Sequence, residues 1–291
     1  MGYELELVIY PGCLASTELY ACELSARRVL DALEVPYRDA EGLSCCGMPV
    51  KSMSTLAWLY LSARNLALAE EHGGDLLTLC SVCDFHISEA RRVLKHSREL
   101  RAKVEELLDQ EGLRYAGRAR AVSMLAVLAE AAESGKLAES RGLSGLKVAA
   151  HYGCQTLRPS DMPRPDHPEA PGRLEAIVKA LGGEPVDYPE KLSCCGGILV
   201  YTRREAALTL AGEKVAAAQE RGADLIVTPC PHCMKMLDQS QKAAAGVVGK
   251  PLSTPVLYAT QLVGLALGLS EEELGLDLNS SPVEKVLERL G

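Results

Sequence analysis

Leu43-Ser-Cys-Cys-Gly47 and Leu192-Ser-Cys-Cys-Gly196 are the same five residues, 149 positions apart. The likeness extends outward in both directions. Upstream, Tyr10-Pro-Gly-Cys13 faces His151-Tyr-Gly-Cys154. Downstream, an apolar run ends in Cys80 and Cys83 in the first copy and in Cys230 and Cys233 in the second. Ten of the eleven cysteines fall into two ordered sets, Cys13, Cys45, Cys46, Cys80, Cys83 and Cys154, Cys194, Cys195, Cys230, Cys233. Self-similarity at one long period marks a duplicated structural unit. The first cysteine repeats at an offset of 141 rather than 149, so the second copy carries eight extra residues after it. They fall in Arg158–Gly172, with prolines at 159, 163, 165, 168 and 171. So many prolines exclude helix and central strand. The segment is either a surface insertion or a wall over a site.

The copies share a rhythm of apolar runs. Leu5–Tyr10, Leu76–Leu79, Val148–His151 and Leu225–Thr228 predict strands. Ser16–Leu33, Ser52–Glu71, Val82–Lys95, Arg173–Leu181, Arg203–Arg221 and His232–Gln241 predict helices. Strand–helix alternation predicts an α/β fold of two repeated Rossmann-like halves with mainly parallel sheets, related by pseudo-two-fold symmetry. The expected domains are 1–145 and 146–291. A helical linker near 96–145 joins them, and Ala259–Leu269 and Val283–Leu290 give C-terminal helices. Cys13, Cys80, Cys154 and Cys230 each lie just past a strand, where open α/β sheets bind ligands. The Cys-x-x-Cys pairs then open helices, whose N-termini favour the thiolate.

Composition narrows the chemistry. The chain of 291 residues is 47% hydrophobic but only 4% aromatic, so its cores rest on Leu, Val, Ile and Ala. Net charge is −8 with no basic stripe, which excludes a nucleic-acid footprint. No apolar run reaches membrane-spanning length. The start, MGYELELVIYPGC, has no basic n-region, so no signal peptide and a cytoplasmic location are expected. In a reducing compartment, cysteines at such spacing serve metals or redox chemistry rather than structural disulfides. A structural zinc takes four ligands, and a cubane iron–sulfur cluster also takes four. Each set offers five with a vicinal pair, which points to a larger or distorted iron–sulfur cluster, with zinc in one or both sets as the alternative.

The pattern Cys-x31-Cys-Cys-x33-Cys-x2-Cys and its copy Cys-x39-Cys-Cys-x34-Cys-x2-Cys resemble the CCG motif that defines the B subunit of heterodisulfide reductase and its relatives. The resemblance covers nearly the whole chain. It implies two non-cubane 4Fe-4S clusters, one held by Cys13, Cys45, Cys46, Cys80 and Cys83, the other by Cys154, Cys194, Cys195, Cys230 and Cys233. It further implies an oxidoreductase acting on a small disulfide or thiol between the two clusters. The partners implied are a C-type (HdrC-like) ferredoxin subunit and an A-type (HdrA-like) flavoprotein. An electron-transfer iron–sulfur subunit of a quinone- or hydroxyacid-linked oxidoreductase is the rival, and a zinc-stabilised module the third possibility.

Outside the two sets, His151 and His232 adjoin ligand positions and are candidates to donate to a cluster sulfur or a substrate. Arg158 and Lys51 are candidate cations near the site, against the commoner role of surface charge. Gly47, Gly196 and Gly197 fit a loop that must approach a cluster closely. Cys22 lies on the apolar face of the first helix and reads as a core thiol. His72, His86 and His96 read as structural.

Overall fold

The computed structural model describes residues 6–138, 140 and 142–290. Leu5, the expected start of the first strand, lies outside them. The first half holds β1 (Glu6–Tyr10), α1 (Gly12–Thr17), α2 (Tyr20–Ala32), β2 (Tyr37–Arg38), α3 (Thr55–Glu71), β3 (Gly74–Thr78), α4 (Ser81–His96), α5 (Arg98–Asp109), β4 (Ala121–Ser123) and α6 (Met124–Glu133). The second holds β5 (Lys147–Ala150), α7 (Cys154–Leu157), α8 (Arg173–Ala180), β6 (Glu184–Val186), α9 (Arg204–Glu220), β7 (Leu225–Thr228), α10 (Pro231–Met234), α11 (Gln241–Val248), β8 (Val256–Tyr258) and α12 (Ala259–Ala266). Two short helices, α13 (Glu271–Leu274) and α14 (Glu284–Leu290), follow. Among the described residues, no helix is long and apolar enough to cross a membrane.

Each half builds one four-stranded sheet, in the orders β2-β1-β3-β4 and β6-β5-β7-β8. Every strand pair is parallel. Parallel neighbours need crossovers, and the helices supply them on both faces. The central strands are therefore buried on both sides and read as apolar runs, such as Leu7-Val8-Ile9 and Leu225-Ile226-Val227. Tyr10 pairs with Thr78 and Ala150 with Val227, so the carboxyl ends of the two central strands of each sheet lie side by side. That register delivers the first cysteine and the Cys-x-x-Cys pair of each set to one edge. Leu77, on β3 between two partners, is fully buried. Leu77→Ala is expected to lower unfolding free energy by about 2–5 kcal/mol in a denaturant titration.

The halves pack reciprocally. Helix α6, after the last strand of the first sheet, lies on α8, and α12, after the last strand of the second, lies on α2. A buried hydroxyl pair, Ser25 and Thr260 at 2.7 Å, joins α2 to α12. Thr156 of α7 donates to Ser81 of α4 at 2.7 Å, closer to the cysteines.

Two expected helices are interrupted. The helix expected at Ser16–Leu33 breaks between α1 and α2, where Ser16 and Thr17 hydroxyls bond back to the carbonyls of Gly12 (3.1 Å) and Cys13 (2.8 Å). Such back-bonding competes with helix continuation. The one expected at His232–Gln241 is α10 followed by a wide π turn at Lys235–Gln239. The helical stretch after residue 96 also contributes a strand, β4, to the first sheet.

Candidate metal centres

Glycines shape both sites. Gly12 and Gly153 have φ of +74° and +76°. A Cβ there would stand 2.9 Å from Cys83 Sγ and 3.0 Å from Cys233 Sγ respectively. The chain turns off β1 and β5 with the sulfur of the Cys-x-x-Cys pair against bare backbone. Gly47 and Gly196 follow the Cys-Cys pairs with φ of +81° and +83°. They press on the backbone of Trp58 in α3 and Ala207 in α9, seating each loop on its helix. Gly197 has ordinary φ, but a Cβ on it would lie 3.0 Å from His232. Gly12→Ala combines a left-handed φ, about 1–2 kcal/mol of strain, with the sulfur contact. It is expected to lower thermal stability and to empty the first set selectively, read as metal and sulfide content.

The thiols of the first set neighbour one another in the order Cys13, Cys45, Cys46, Cys83, Cys80. The second runs Cys154, Cys194, Cys195, Cys233, Cys230. Cys80 and Cys230 also face each other, so the ten sulfurs form one line across the boundary between the halves. All ten are free thiols; Cys13 and Cys194 are exposed, Cys45 and Cys154 half-buried and the other six buried. Cys22, the eleventh, is buried in α2 with its thiol 3.8 Å from the Leu79 carbonyl.

Crowding sorts these thiols electrostatically. Cys45 is held down to about 2 by the thiols of Cys13 and Cys46 and by main-chain N–H groups of Gly47 and Cys46. Cys194 is likewise held at about 2 by Cys154 and Cys195, and the Gly196 N–H reaches its sulfur at 3.3 Å. Each lowered thiol raises its neighbours: Cys46 is pushed up to about 12 by Cys45, and Cys195 to about 12 by Cys194. Cys13, Cys80, Cys83, Cys154 and Cys233 rise as well, each through a neighbouring cysteine first. Adjacent buried thiols cannot all ionise unless positive charge is placed among them. A soft metal group supplies that charge, so both donor sets fit a thiolate-ligated metal or iron–sulfur group.

His151 is fully buried against the second set. Its Nε2 lies 3.3 Å from Cys233 Sγ and its Nδ1 3.3 Å from the Lys191 carbonyl. The ring nitrogen and the sulfurs of Cys195 and Cys233 lie within 4.8 Å of one another. Burial, then the charge of Lys214, depresses the imidazole to about 3. His232 is buried with its Nδ1 unpartnered. The structure therefore brings His151 and His232 to the cysteines. Arg158 instead turns into the proline-rich segment, 3.6 Å from Glu169. Lys51 lies 4.2 Å from the centre of the Trp58 ring and pairs with Glu89.

Three residues near the sulfurs escaped the sequence reasoning. His86, read as structural, is an electrostatic neighbour of Cys45, depressed to about 4 chiefly by burial, with neither ring nitrogen hydrogen-bonded and its Nδ1 4.0 Å from the Glu89 carboxylate. Its position three residues after Cys83 was the available signal, since i and i+3 share a helix face. Lys214 is fully buried in α9, where it interrupts the apolar stripe Leu208, Ala211, Val215, Ala218. Arg164, from the proline-rich segment, pairs with Asp84 at 3.0 Å, straight after Cys83. A cavity of about 880 Å³ lies beyond this pair, lined by α4, α6 and Met162–Pro165, and none of the ten cysteines lines it.

The family model for CCG, a cysteine-rich domain, matches twice, at residues 7–88 and 148–238, each span enclosing one whole set. The chain belongs to the CCG family, alongside the B subunit of heterodisulfide reductase. It is 34% identical to the B subunit of the ferredoxin/F420H2-dependent CoB-CoM heterodisulfide reductase of Methanosarcina acetivorans, over 94% of this chain and 93% of that one. It is 36% identical to the 8-methylmenaquinol:fumarate reductase membrane anchor subunit of Wolinella succinogenes, over 94% of this chain and 96% of that one. The glycolate oxidase iron-sulfur subunit of Escherichia coli is 26% identical; the match takes in 84% of this CCG chain and 56% of that subunit. A hypothetical protein of Helicobacter pylori shares the fold with a TM-score of 0.80 at 18% identity, covering 97% of this chain and 53% of the other.

Proposed function

We propose that this CCG protein is the catalytic B-type subunit of a heterodisulfide-reductase-like complex, an oxidoreductase that reduces or forms a disulfide in two one-electron steps. Its halves, 1–145 and 146–291, would each hold one non-cubane 4Fe-4S cluster on five cysteines. One observation carries this: the ten sulfurs form a single line that crosses between the halves at Cys80 and Cys230. Two electrons are needed per disulfide, and two adjoining one-electron centres match that count. When bound, such clusters supply single electrons and Lewis-acidic iron for a departing sulfur. The chain's own residues do the rest. Cys13, at one end of the line, and Cys194, next to the other end, are open to solvent; His151 sets a buried ring nitrogen 3.3 Å from the Cys233 sulfur, and His232 and His86 are buried electrostatic neighbours of Cys230 and Cys45.

Electrons would come from an HdrC-like ferredoxin subunit, with an HdrA-like flavoprotein behind it, by analogy with relatives named as subunits of multi-subunit reductases. Free cysteines throughout suit the cytoplasm. The relative named as a fumarate reductase subunit favours a second reading, an electron relay that never touches a disulfide. Anaerobic purification followed by iron, zinc and acid-labile sulfide analysis tests the centres. About eight irons per chain are expected; two zincs and no iron would end the proposal. EPR with and without a thiol then separates the readings, since a relay shows no thiol-dependent signal.

A further inference from the structure

The two cysteine sets repeat, but what lies beneath them does not. Helices α3 and α9 correspond at an offset of 149, because Gly47 rests on Trp58 as Gly196 rests on Ala207. Asn65 and Lys214 occupy the same position at that offset. Asn65 is buried and neutral. Its Oδ1 accepts from the Ser44 N–H at 2.8 Å, and its Nδ2 donates to the carbonyls of Ser44 (3.1 Å) and Cys45 (3.3 Å). Lys214 is buried without any exposure. Its ammonium donates to the Ser193 hydroxyl at 2.9 Å and to the main-chain oxygen of Glu190, and sits 5.9 Å from the Tyr188 ring. Its electrostatic neighbours are Cys195, Cys233, Cys194 and the Glu190 carboxylate. No carboxylate forms an ion pair with it among the described residues. The cations near the first set are compensated by contrast: Lys51 pairs with Glu89, and Arg164 with Asp84.

We propose that Lys214 raises the reduction potential of the second five-cysteine centre above that of the first, so that an electron shared between the two rests on the second. This depends on the proposal that both sets hold iron–sulfur clusters. A buried cation in a low-dielectric surround stabilises whichever redox state carries more negative charge, which is the reduced one. The electron comes from an external one-electron donor, dithionite in the test below. Passage from first centre to second oxidises one and reduces the other, with no bond made and no proton moved. Glu190 opposes Lys214, because its carboxylate offsets part of the ammonium charge while only its main-chain oxygen touches the ammonium. One of its carboxylate oxygens is buried without a partner. The pair thus gives two handles of opposite sign on one centre.

The test is an EPR-monitored dithionite titration of the full chain, in the wild-type protein and in a Cys45→Ser background expected to keep the second centre alone. Lys214→Gln should lower the second centre's potential enough to change electron sharing at least tenfold, 59 mV for one electron, leaving the first centre unmoved. Glu190→Gln should shift the same centre upward. Should Lys214→Gln fail to fold, the surface-proximal Glu190→Gln decides the matter alone. Iron-loaded protein whose second potential stays put in both variants would overturn the inference and leave the proposed function standing. Iron lost from the second set in both variants would also overturn it, since a purely structural lysine predicts that. Wild-type chain without iron and sulfide would remove the function, and this inference with it.

Discussion

Cys194→Ser is expected to remove about half of the bound iron and acid-labile sulfide and to leave the first centre spectroscopically intact. Cys194 is the most readily ionised thiol at its end of the line, between Cys154 and Cys195 with the Gly196 N–H on its sulfur. It is therefore a ready thiolate ligand for assembly of the second set. A serine oxygen is harder and far less acidic, and it suits neither iron nor sulfide bridges. The first set draws its ligands from α1, the first turn of α4 with the residue before it, and the loop before α3, all in the first half of the chain. Cys45→Ser should produce the mirror result. Cys80→Ser and Cys230→Ser, at the meeting point, should disturb both centres, because each thiol adjoins the other set. Iron analysis and EPR of these four variants check the partition. Loss of both centres from Cys194→Ser, or of neither, would show that the sulfurs are not divided five and five.

The duplication was legible in the sequence because covalent order preserves it: both copies keep their five cysteines in register, and the family model matches once over each. The central strands β1, β3, β5 and β7 were legible too, since burial on both faces leaves continuous apolar runs. The outer strands were not. β2 has two residues and β4, β6 and β8 three each, too short to express a period. Long-range bonds hold β4 in place. Asp75 accepts from the Arg120 N–H at 2.9 Å and from its guanidinium at 2.8 Å, and the Glu70 carboxylate takes the N–H groups of Ala116, Arg118 and Ala119. No local pattern announces partners nearly fifty residues away. The surroundings of the sulfurs were hidden for a related reason. His86 is marked only by its spacing from Cys83 on α4, and Lys214 looks ordinary on α9 until that helix docks under the second Cys-Cys loop.

The proline-rich segment, which the sequence left as either an insertion or a wall, sets up the second large effect. Arg164 is 2% exposed and Asp84 6% exposed at their side chains, and the two meet at 3.0 Å. One belongs to the segment that only the second half carries, the other to the first turn of α4 in the first half. Arg164 also donates to the Gln155 carbonyl and lies 5.4 Å from the Phe85 ring. Arg164→Met strands a buried carboxylate, which costs about 3–5 kcal/mol at neutral pH. The sign of its pH dependence follows from Asp84, which burial already raises despite the arginine. Without the arginine it rises further, so the folded variant holds this proton more tightly than the unfolded chain does. The deficit should be smallest below the ordinary carboxyl value and grow as pH climbs through the raised one. Arg164→Met combined with Asp84→Asn should recover much of the loss, because no charge is then left alone. Denaturant titrations at mildly acidic and neutral pH, with iron content followed in parallel, measure both effects. A deficit that ignores pH, or a double variant no better than the single one, would mean that the segment is held by its packing and not by this ion pair.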